Sequence, residues 1–330
     1  MITVEQKEKL WTKSYIMLIL GNLFTFMSFH MLIPTLPPYI KSIGGSVFEV
    51  GLMTALFSLG AVFIRPFIGF ILAFKARKML VLIGAAALLF MTLLYPLTNV
   101  IVILLAFRLI HGIAWGWSTT ANGTAAVDLI PNSRLGEGTG YFGLSITLGM
   151  IIAPSLGLIL YEQASFDALV YVSAVFGVVA LLLLSFVFYQ MPESVAKAKR
   201  EEMKFSYMHS LIEKACWFPA LLTLLAAFGY GSIVSFIVIF GNERGIENIF
   251  LFYLVNAIFA TLSRPITGKM FDRNGPRNIV VFCSLLTFAS LWVLSFSYNS
   301  LHVAIAGMLL GIGYGSILPV LQSWCLSIPE

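Results

Sequence analysis

The chain has 330 residues and a formal net charge of +5, and its composition is 59% hydrophobic and only 11% charged. Soluble domains carry about 25% charged residues, so this composition excludes a water-soluble protein. The class that remains is a protein whose surface faces lipid.

The apolar residues form ten continuous runs, each longer than the roughly 20 residues that a helix needs to cross the hydrocarbon core of a bilayer. We number them segments 1 to 10 in chain order. They cover residues 14–36, 47–72, 78–98, 100–124, 136–161, 167–189, 216–240, 248–271, 278–298 and 301–327. This pattern predicts an all-α polytopic membrane protein.

The basic residues are distributed unevenly between the two sides of the membrane. With a cytoplasmic N-terminus, 15 of the 20 Lys and Arg residues lie on cytoplasmic stretches, Lys41 and Arg244 lie outside, and Arg65, Arg108 and Arg264 lie within segments. Positive charge concentrates on inner loops in membrane proteins, which predicts a multi-pass protein of the cell membrane with its N-terminus inside. Anionic lipid headgroups then account for the net charge, and no nucleic-acid partner is needed.

Segment 1 places two polar residues, Asn22 and His30, at membrane depth. The Asn22 amide either bonds to a neighbouring helix or binds a ligand. An ionisable residue such as His30 is costly inside a membrane and is usually functional there. Three prolines, Pro34, Pro37 and Pro38, follow and predict that the helix stops as the chain leaves the membrane.

Segment 4 carries polar and aromatic residues at intervals of three and four, which places them on one face of a helix. They are Arg108, His111, Trp115, Thr119 and Asn122. An arginine about 12 Å into a membrane helix must face protein or water. It either has a functional role or bonds to backbone carbonyls of an adjacent helix.

Segment 5 has small residues at fixed spacing around an internal proline. They are Gly140, Gly149, Pro154 and Gly157. Small residues on one side of a membrane helix allow a close crossing with another helix, and the proline introduces a bend.

Residues 191–214 are the one substantial polar stretch, and they divide the chain into six segments and four. We therefore predict an N-terminal six-helix bundle over residues 1–190, a cytoplasmic linker over 191–214 and a C-terminal bundle over 215–330.

The two parts share an internal repeat with a constant offset of 199 residues. The stretch 65–69 (Arg-Pro-Phe-Ile-Gly) recurs at 264–268 (Arg-Pro-Ile-Thr-Gly), and the glycines at 112 and 116 recur at 311 and 315. One offset that holds for two separate patterns indicates two copies of one structural unit.

Three of these patterns together resemble the major facilitator superfamily of secondary transporters. Residues 268–277 match that family's signature loop, residues 108–116 are similar to its helix-four motif, and residues 140–157 are similar to the helix-five motif of its antiporters. The resemblance implies two six-helix bundles, a central cavity lined by helices 1, 4, 7 and 10, and alternating access. The helix-five pattern further implies export coupled to proton entry, as in drug efflux pumps.

The resemblance also implies roles for individual residues. For proton coupling we expect Arg108 to act with His111 or with Glu49. Substrate contacts are expected from Asn22, His30, Trp115, Asn122, Tyr230, Tyr314 and Gln322. A latch that holds one conformational state is expected from Asp272, Arg273, Arg277, Gly268, Gly275, Gly69 and Arg77. Tyr314 is the repeat counterpart of Trp115, and this aromatic pair favours small amphipathic or aromatic substrates.

The chain departs from the family pattern in two ways. Ala73 and Ala76 stand where the first-half loop has Asp and Gly, and ten segments are present where the family has twelve. We therefore expect a truncated form without helices 11 and 12, which transports poorly unless a separate segment supplies them.

Two alternatives to proton-coupled export stay open, namely proton-driven uptake of a small metabolite and a non-transporting receptor or remnant. An enzyme is not expected, because the sequence has no Gly-x-Ser-x-Gly elbow, no His-Glu-x-x-His motif and no paired membrane carboxylates. Its three cysteines lack the spacing of a metal site, and we expect neither a metal nor a cofactor.

Overall fold

A computed structural model describes residues 9–72, 77–131, 134–189 and 216–327 of the chain. In these ranges every regular element is helical, which confirms the predicted fold class. Within the same ranges nine stretches are long and apolar enough to cross a membrane. The remaining predicted segment, segment 8, also forms a helix, of which the described apolar stretch is Phe250–Ser263.

We number the helices in chain order. They are α1 (Lys13–His30), α2 (Leu32–Ser42), α3 (Val47–Leu72), α4 (Arg77–Leu94), α5 (Ile101–Leu129), α6 (Leu135–Gln163), α7 (Phe166–Ser185), α8 (Trp217–Glu243), α9 (Phe250–Asn274), α10 (Pro276–Ser295) and α11 (Ser300–Ser327). A short 3-10 turn, Tyr95–Leu97, extends α4.

Segment 1 forms two helices that together make one span, and the predicted stop at its prolines is wrong. The chain continues as α2 through Pro34, Pro37 and Pro38. Pro34 stands in the first turn of α2, where a missing N–H costs little. The Thr35 hydroxyl donates to the Met31 carbonyl oxygen at 2.9 Å, one of the ways in which membrane helices satisfy carbonyl groups that proline leaves unbonded.

Helices α1 to α7 pack on one another and form what we call the first half, and α8 to α11 pack on one another as the second half. Contacts between the halves run from α2 and α3 to α8 and from α6 to α9. The polar stretch 191–214 lies outside the described residues, so the division at that linker stays a prediction.

The helix ends define two sides of the molecule. We call the side with Gly44 the Gly44 end, and the side with Arg77 the Arg77 end. The halves meet towards the Gly44 end, where Lys41 of α2 forms an ion pair with Glu243 of α8.

Equivalent glycines make equivalent close contacts in the two halves. A Cβ at Gly112 would overlap the Phe57 carbonyl oxygen, and a Cβ at Gly311 would overlap the Asn256 carbonyl oxygen. Phe57 and Asn256 are themselves 199 residues apart. The crossing of α3 with α5 is therefore repeated as the crossing of α9 with α11, through backbone surfaces that only glycine leaves accessible.

We expect Gly112→Ala to lower the free energy of unfolding by about 1–3 kcal/mol, because the added methyl forces two packed backbones apart. Thermal unfolding of the purified protein in detergent measures this. Gly123→Ala is the matched control on the same helix, since nothing lies within 4 Å of a Cβ at that position. Equal unfolding temperatures for the two variants would contradict the packing role.

Candidate substrate site

A cavity of about 190 Å³ lies between the two halves. Helices α1, α2, α3 and α5 line it from the first half and α8 lines it from the second. Residues that face it include Phe29, Thr54, Phe57, Arg108, Tyr230 and Ser235. Its walls are mostly apolar, and Arg108 is the one charged side chain among the described residues that line it. This composition suits a small amphipathic molecule.

Arg108 is the central polar group of this cavity. Its side chain is only 5% exposed, and its guanidinium carbon lies 4.4 Å from the Phe57 ring centroid and 5.5 Å from that of Phe29. Its Nε and Nη1 atoms have no hydrogen-bond partner within the described residues. The arginine is thus held by aromatic rings while part of its donor set is unused.

His111 and Tyr95 form a buried pair beside Arg108. The Tyr95 hydroxyl and His111 Nδ1 are 3.1 Å apart, and both residues are fully buried. His111 Nε2 has no partner among the described side chains and backbone. Arg108 and His111, one turn apart on α5, therefore place a cation and a titratable ring next to each other inside the first half.

A second cavity, of about 90 Å³, lies between α6, α8, α9 and α11. Tyr230 lines both cavities. Its ring stacks on that of Tyr314, with centroids 4.0 Å apart and planes inclined by 4°. The stacked pair forms an aromatic wall where α8 meets α11, and Asn256 adds a polar group to the same cavity.

A sequence profile of the Major Facilitator Superfamily matches residues 18–330. The chain belongs to the Major Facilitator Superfamily. It is therefore a multi-pass membrane transporter and not an enzyme, which confirms two predictions made from the sequence.

Curated relatives and solved structures agree with membership of the superfamily. Multidrug resistance protein MdtG of Serratia proteamaculans is 24% identical to this chain, over 95% of this chain and 79% of its own length. The protein of the same name from Citrobacter koseri is 26% identical, over 95% of this chain and 80% of its own length. A point mutant of the nucleoside transporter NupG superposes with a TM-score of 0.78 at 11% identity, covering 94% of this chain and 82% of its own. The human organic anion transporter MFSD10 superposes with a TM-score of 0.68 at 16% identity, covering 94% of this chain and 85% of its own.

The resemblance to the superfamily implied a cavity lined by helices 1, 4, 7 and 10, which here are α1–α2, α5, α8 and α11. The larger cavity takes lining residues from the first three of these and also from α3. The smaller cavity adds α11, together with α6 and α9.

Two of the predicted substrate residues, Asn22 and Asn122, are engaged with each other. Asn122 Nδ2 donates to Asn22 Oδ1 at 3.2 Å, and Asn22 Nδ2 donates to Ser145 Oγ at 3.0 Å. Both asparagines are fully buried. These hydrogen bonds join α1, α5 and α6. Of the two roles considered for the Asn22 amide, they correspond to a hydrogen bond to a neighbouring helix.

His30 and Trp115 lie in an aromatic cluster inside the first half. The His30 ring stacks on Phe26 at 5.3 Å, with its Nδ1 atom 3.0 Å from the Phe26 carbonyl oxygen. Trp115 stacks on Phe29 at 4.1 Å. Tyr314, the repeat counterpart of Trp115, instead stacks on Tyr230. The predicted Gln322 side chain lies outside the described residues.

In this structure Glu49 is engaged at the start of its own helix, and its coupling role with Arg108 stays a prediction. Its carboxylate accepts hydrogen bonds from the Ser46 backbone N–H at 2.7 Å and from Ser46 Oγ at 2.8 Å. The Glu49 N–H in turn donates to Ser46 Oγ at 3.3 Å. This reciprocal pair is a capping box that starts α3, so helix capping accounts for the carboxylate at this position.

The predicted latch is described only in part. The surroundings of Gly268 and the side chains of Asp272 and Arg273 lie outside what the structure describes. Gly275 separates α9 from α10 with a φ of +72°, a conformation that glycine adopts readily. Arg277 is exposed at the start of α10.

Gly69 and Arg77, the first-half members of the predicted latch, differ in their surroundings. Nothing lies within 4 Å of a Cβ built at Gly69. Arg77 Nε donates to Asp128 Oδ2 at 2.7 Å, and the two side chains are 7% and 15% exposed. This pair ties the start of α4 to the end of α5.

The helix-five glycines make the close crossing that their spacing predicted. A Cβ at Gly149 would lie 2.6 Å from Phe26 Cβ, and a Cβ at Gly157 would lie 2.6 Å from the Met31 carbonyl oxygen. Helix α6 therefore lies directly against α1 and α2, and Pro154 falls between these two contacts. The surroundings of Gly140 lie outside what the structure describes.

Sequence reasoning missed four residues of this region. Phe29 and Phe57 contact Arg108, Tyr95 bonds to His111, and Asp128 pairs with Arg77. Asp128 carries a usable signal, since it is an acidic residue just after segment 4, on the side of the membrane where the basic residues Arg77 and Lys78 lie at the start of segment 3. The aromatic residues carry none, because phenylalanine is common throughout these helices.

Proposed function

We propose that the chain is a proton-coupled exporter of small amphipathic molecules that works by alternating access between its two halves. The observation that carries the proposal is the cavity between the halves, with a buried arginine in an otherwise mostly apolar wall. A site near mid-membrane at the interface of two repeats is where such transporters bind their cargo.

Support for export comes from two directions. The relatives are named multidrug resistance proteins, and the glycines of the antiporter-type motif make a tight crossing between α6 and the α1–α2 span. A crossing of this kind keeps the first half rigid while it moves against the second.

We place the coupling group at Arg108 and His111. A proton that arrives at His111 creates a second cation beside the first, and two buried like charges repel strongly at short range. Tyr95 holds the imidazole through its Nδ1 atom, so the ring keeps a fixed position during the exchange. Proton binding therefore drives the change between conformations, because the repulsion is relieved when His111 and Arg108 come to face different surroundings.

For the substrate we propose contacts with Tyr230 and Tyr314, whose stacked rings line the cavities. Asn22, Asn122, His30 and Trp115 support the site from inside the first half, and Gln322 stays a predicted contact. We further propose that the N-terminus and the Arg77 end face the cytoplasm, where Asp272, Arg273 and Arg277 act as the latch.

Transport into proteoliposomes tests the function. The purified protein is reconstituted, a pH gradient is imposed, and flux is followed for a panel of labelled drugs and metabolites while a trapped dye reports internal pH. We expect substrate flux opposite in direction to proton flux. Flux in the same direction would favour metabolite uptake, and saturable binding without flux would favour the receptor.

A further inference from the structure

Arg108 is a buried cation without a counter-ion in the described part of the protein. The ion pairs found there are Lys41 with Glu243 and Arg77 with Asp128, and neither involves Arg108. Arginine keeps its charge in proteins, and a charge taken out of water is costly unless it is paired. The rings of Phe29 and Phe57 offset only part of that cost.

The fold itself does not require a cation at this position. The repeat counterpart of Arg108, 199 residues later, is Gly307, which packs against the Phe252 carbonyl oxygen of α9, 2.6 Å from a Cβ built on it. The counterpart of His111 is Leu310, which is fully buried. The same helix crossing is therefore built with and without charge, so architecture does not explain why Arg108 is present.

The unused donors belong to a side chain that borders empty space. Arg108 lines the 190 Å³ cavity, and its Nε and Nη1 atoms are without partners in the described protein. The Thr54 and Ser235 hydroxyls, which also face this cavity, bond to each other at 3.1 Å. Ser58 and Tyr230 add hydroxyl groups to the same lining, and the guanidinium of Arg108 is the one charged group among the described residues there that can recognise a ligand.

We propose that the transported molecule is an amphipathic organic anion whose acidic group, a carboxylate, phosphonate or phosphate, binds to the Arg108 guanidinium. Its apolar body lies in the same cavity against Phe57 and Tyr230. Fork-shaped donors match these acidic groups with two parallel hydrogen bonds. The inference rests on the proposed transport function and narrows its substrate class from amphipathic to anionic.

The first test is equilibrium binding to the purified protein in detergent, by titration calorimetry without a pH gradient. The probes are phenylbutyrate, phenylbutyramide and phenylbutylamine, which share one body and differ in head-group charge. We expect the acid to bind at least about tenfold more tightly than the amide, since a hydrogen-bonded pair of opposite charges is replaced by a hydrogen bond from the guanidinium to an uncharged carbonyl group. Arg108→Gln should bind the acid and the amide alike.

Arg244→Gln is the matched control. Arg244 is an exposed arginine at the Gly44 end, where its Nη1 atom donates to the Ser295 and Ser297 carbonyl oxygens, and its loss should leave the preference for the acid unchanged. An amide or amine that binds the natural protein as tightly as the acid would overturn the proposal. So would a preference for the acid that survives in Arg108→Gln.

A second measurement does not depend on the shape of these probes. Phosphate, chloride or phenylbutyrate is added to the natural protein and to Arg108→Gln, and thermal unfolding is followed. Ligands that bind the folded state raise its unfolding temperature, so an anion should raise that of the natural protein more than that of the variant. A rise in unfolding temperature with phenylbutyrate or phosphate, but not with chloride, supports a site for the substrate's acidic group. A rise with chloride alone indicates a resident ion and overturns the proposal. Equal responses of the two proteins to all three anions would also overturn it.

The result is separable from that of the transport experiment. Acid-selective binding through Arg108 without proton-driven flux would remove the proposed function and leave the anion site. Proton-driven flux of cations, with no preference for acids, would remove the anion site and leave the function.

Discussion

Arg108→Ala is expected to lower proton-driven transport by about a hundredfold or more, because truncating a desolvated charged contact costs several kcal/mol. Membrane insertion should not suffer, since the change removes a buried cation that has no counter-ion in the described structure. Arg108→Lys should be impaired as well, because a compact ammonium does not reproduce a planar fork of donors.

Flux in proteoliposomes, normalised to the amount of folded protein, measures the effect of the Arg108 variants. Arg244→Ala provides the control for general loss of positive charge, since that residue is exposed and lies away from the cavity. Normal transport by Arg108→Ala would show that the arginine neither binds substrate nor couples protons. A variant that fails to insert would instead assign Arg108 a structural role.

Asp128→Asn is expected to cause the largest loss of stability. The substitution keeps the shape of the side chain but removes the charge that faces Arg77, whose side chain is 7% exposed. Breaking a buried ion pair by removing one partner costs about 3–5 kcal/mol, because the remaining charge stays buried without compensation. Thermal unfolding of the purified protein in detergent measures the change.

The exposed ion pair at the opposite end is the matched control for Asp128→Asn. Lys41 and Glu243 are 38% and 62% exposed, and Glu243→Gln should change the unfolding free energy by less than about 1 kcal/mol. The double variant Arg77→Met with Asp128→Leu should recover most of the lost stability, since no unpaired charge is left. Equal losses for Asp128→Asn and Glu243→Gln would contradict the buried character of the first pair.

Sequence patterns predicted the helices and the packing of glycines well, because both depend on neighbours a few residues apart. Gly149 and Gly157 stand on one side of a helix, and close approach of another helix is the direct consequence of the missing side chains. The prolines of α2 were misjudged for the opposite reason. Their cost depends on contacts around α2, which no local pattern records.

What the sequence determined by itself is the membrane environment, the position of the apolar segments and the repeat, since each follows from composition or from a constant spacing along the chain. Only the tertiary structure decided which partner each polar side chain takes. Glu49 caps its own helix, Asp128 pairs with Arg77 across 51 residues, and Arg108 is left to the cavity. Periodicity shows which residues share a face of a helix, whereas the partner on the facing helix is set by how distant parts of the chain pack together.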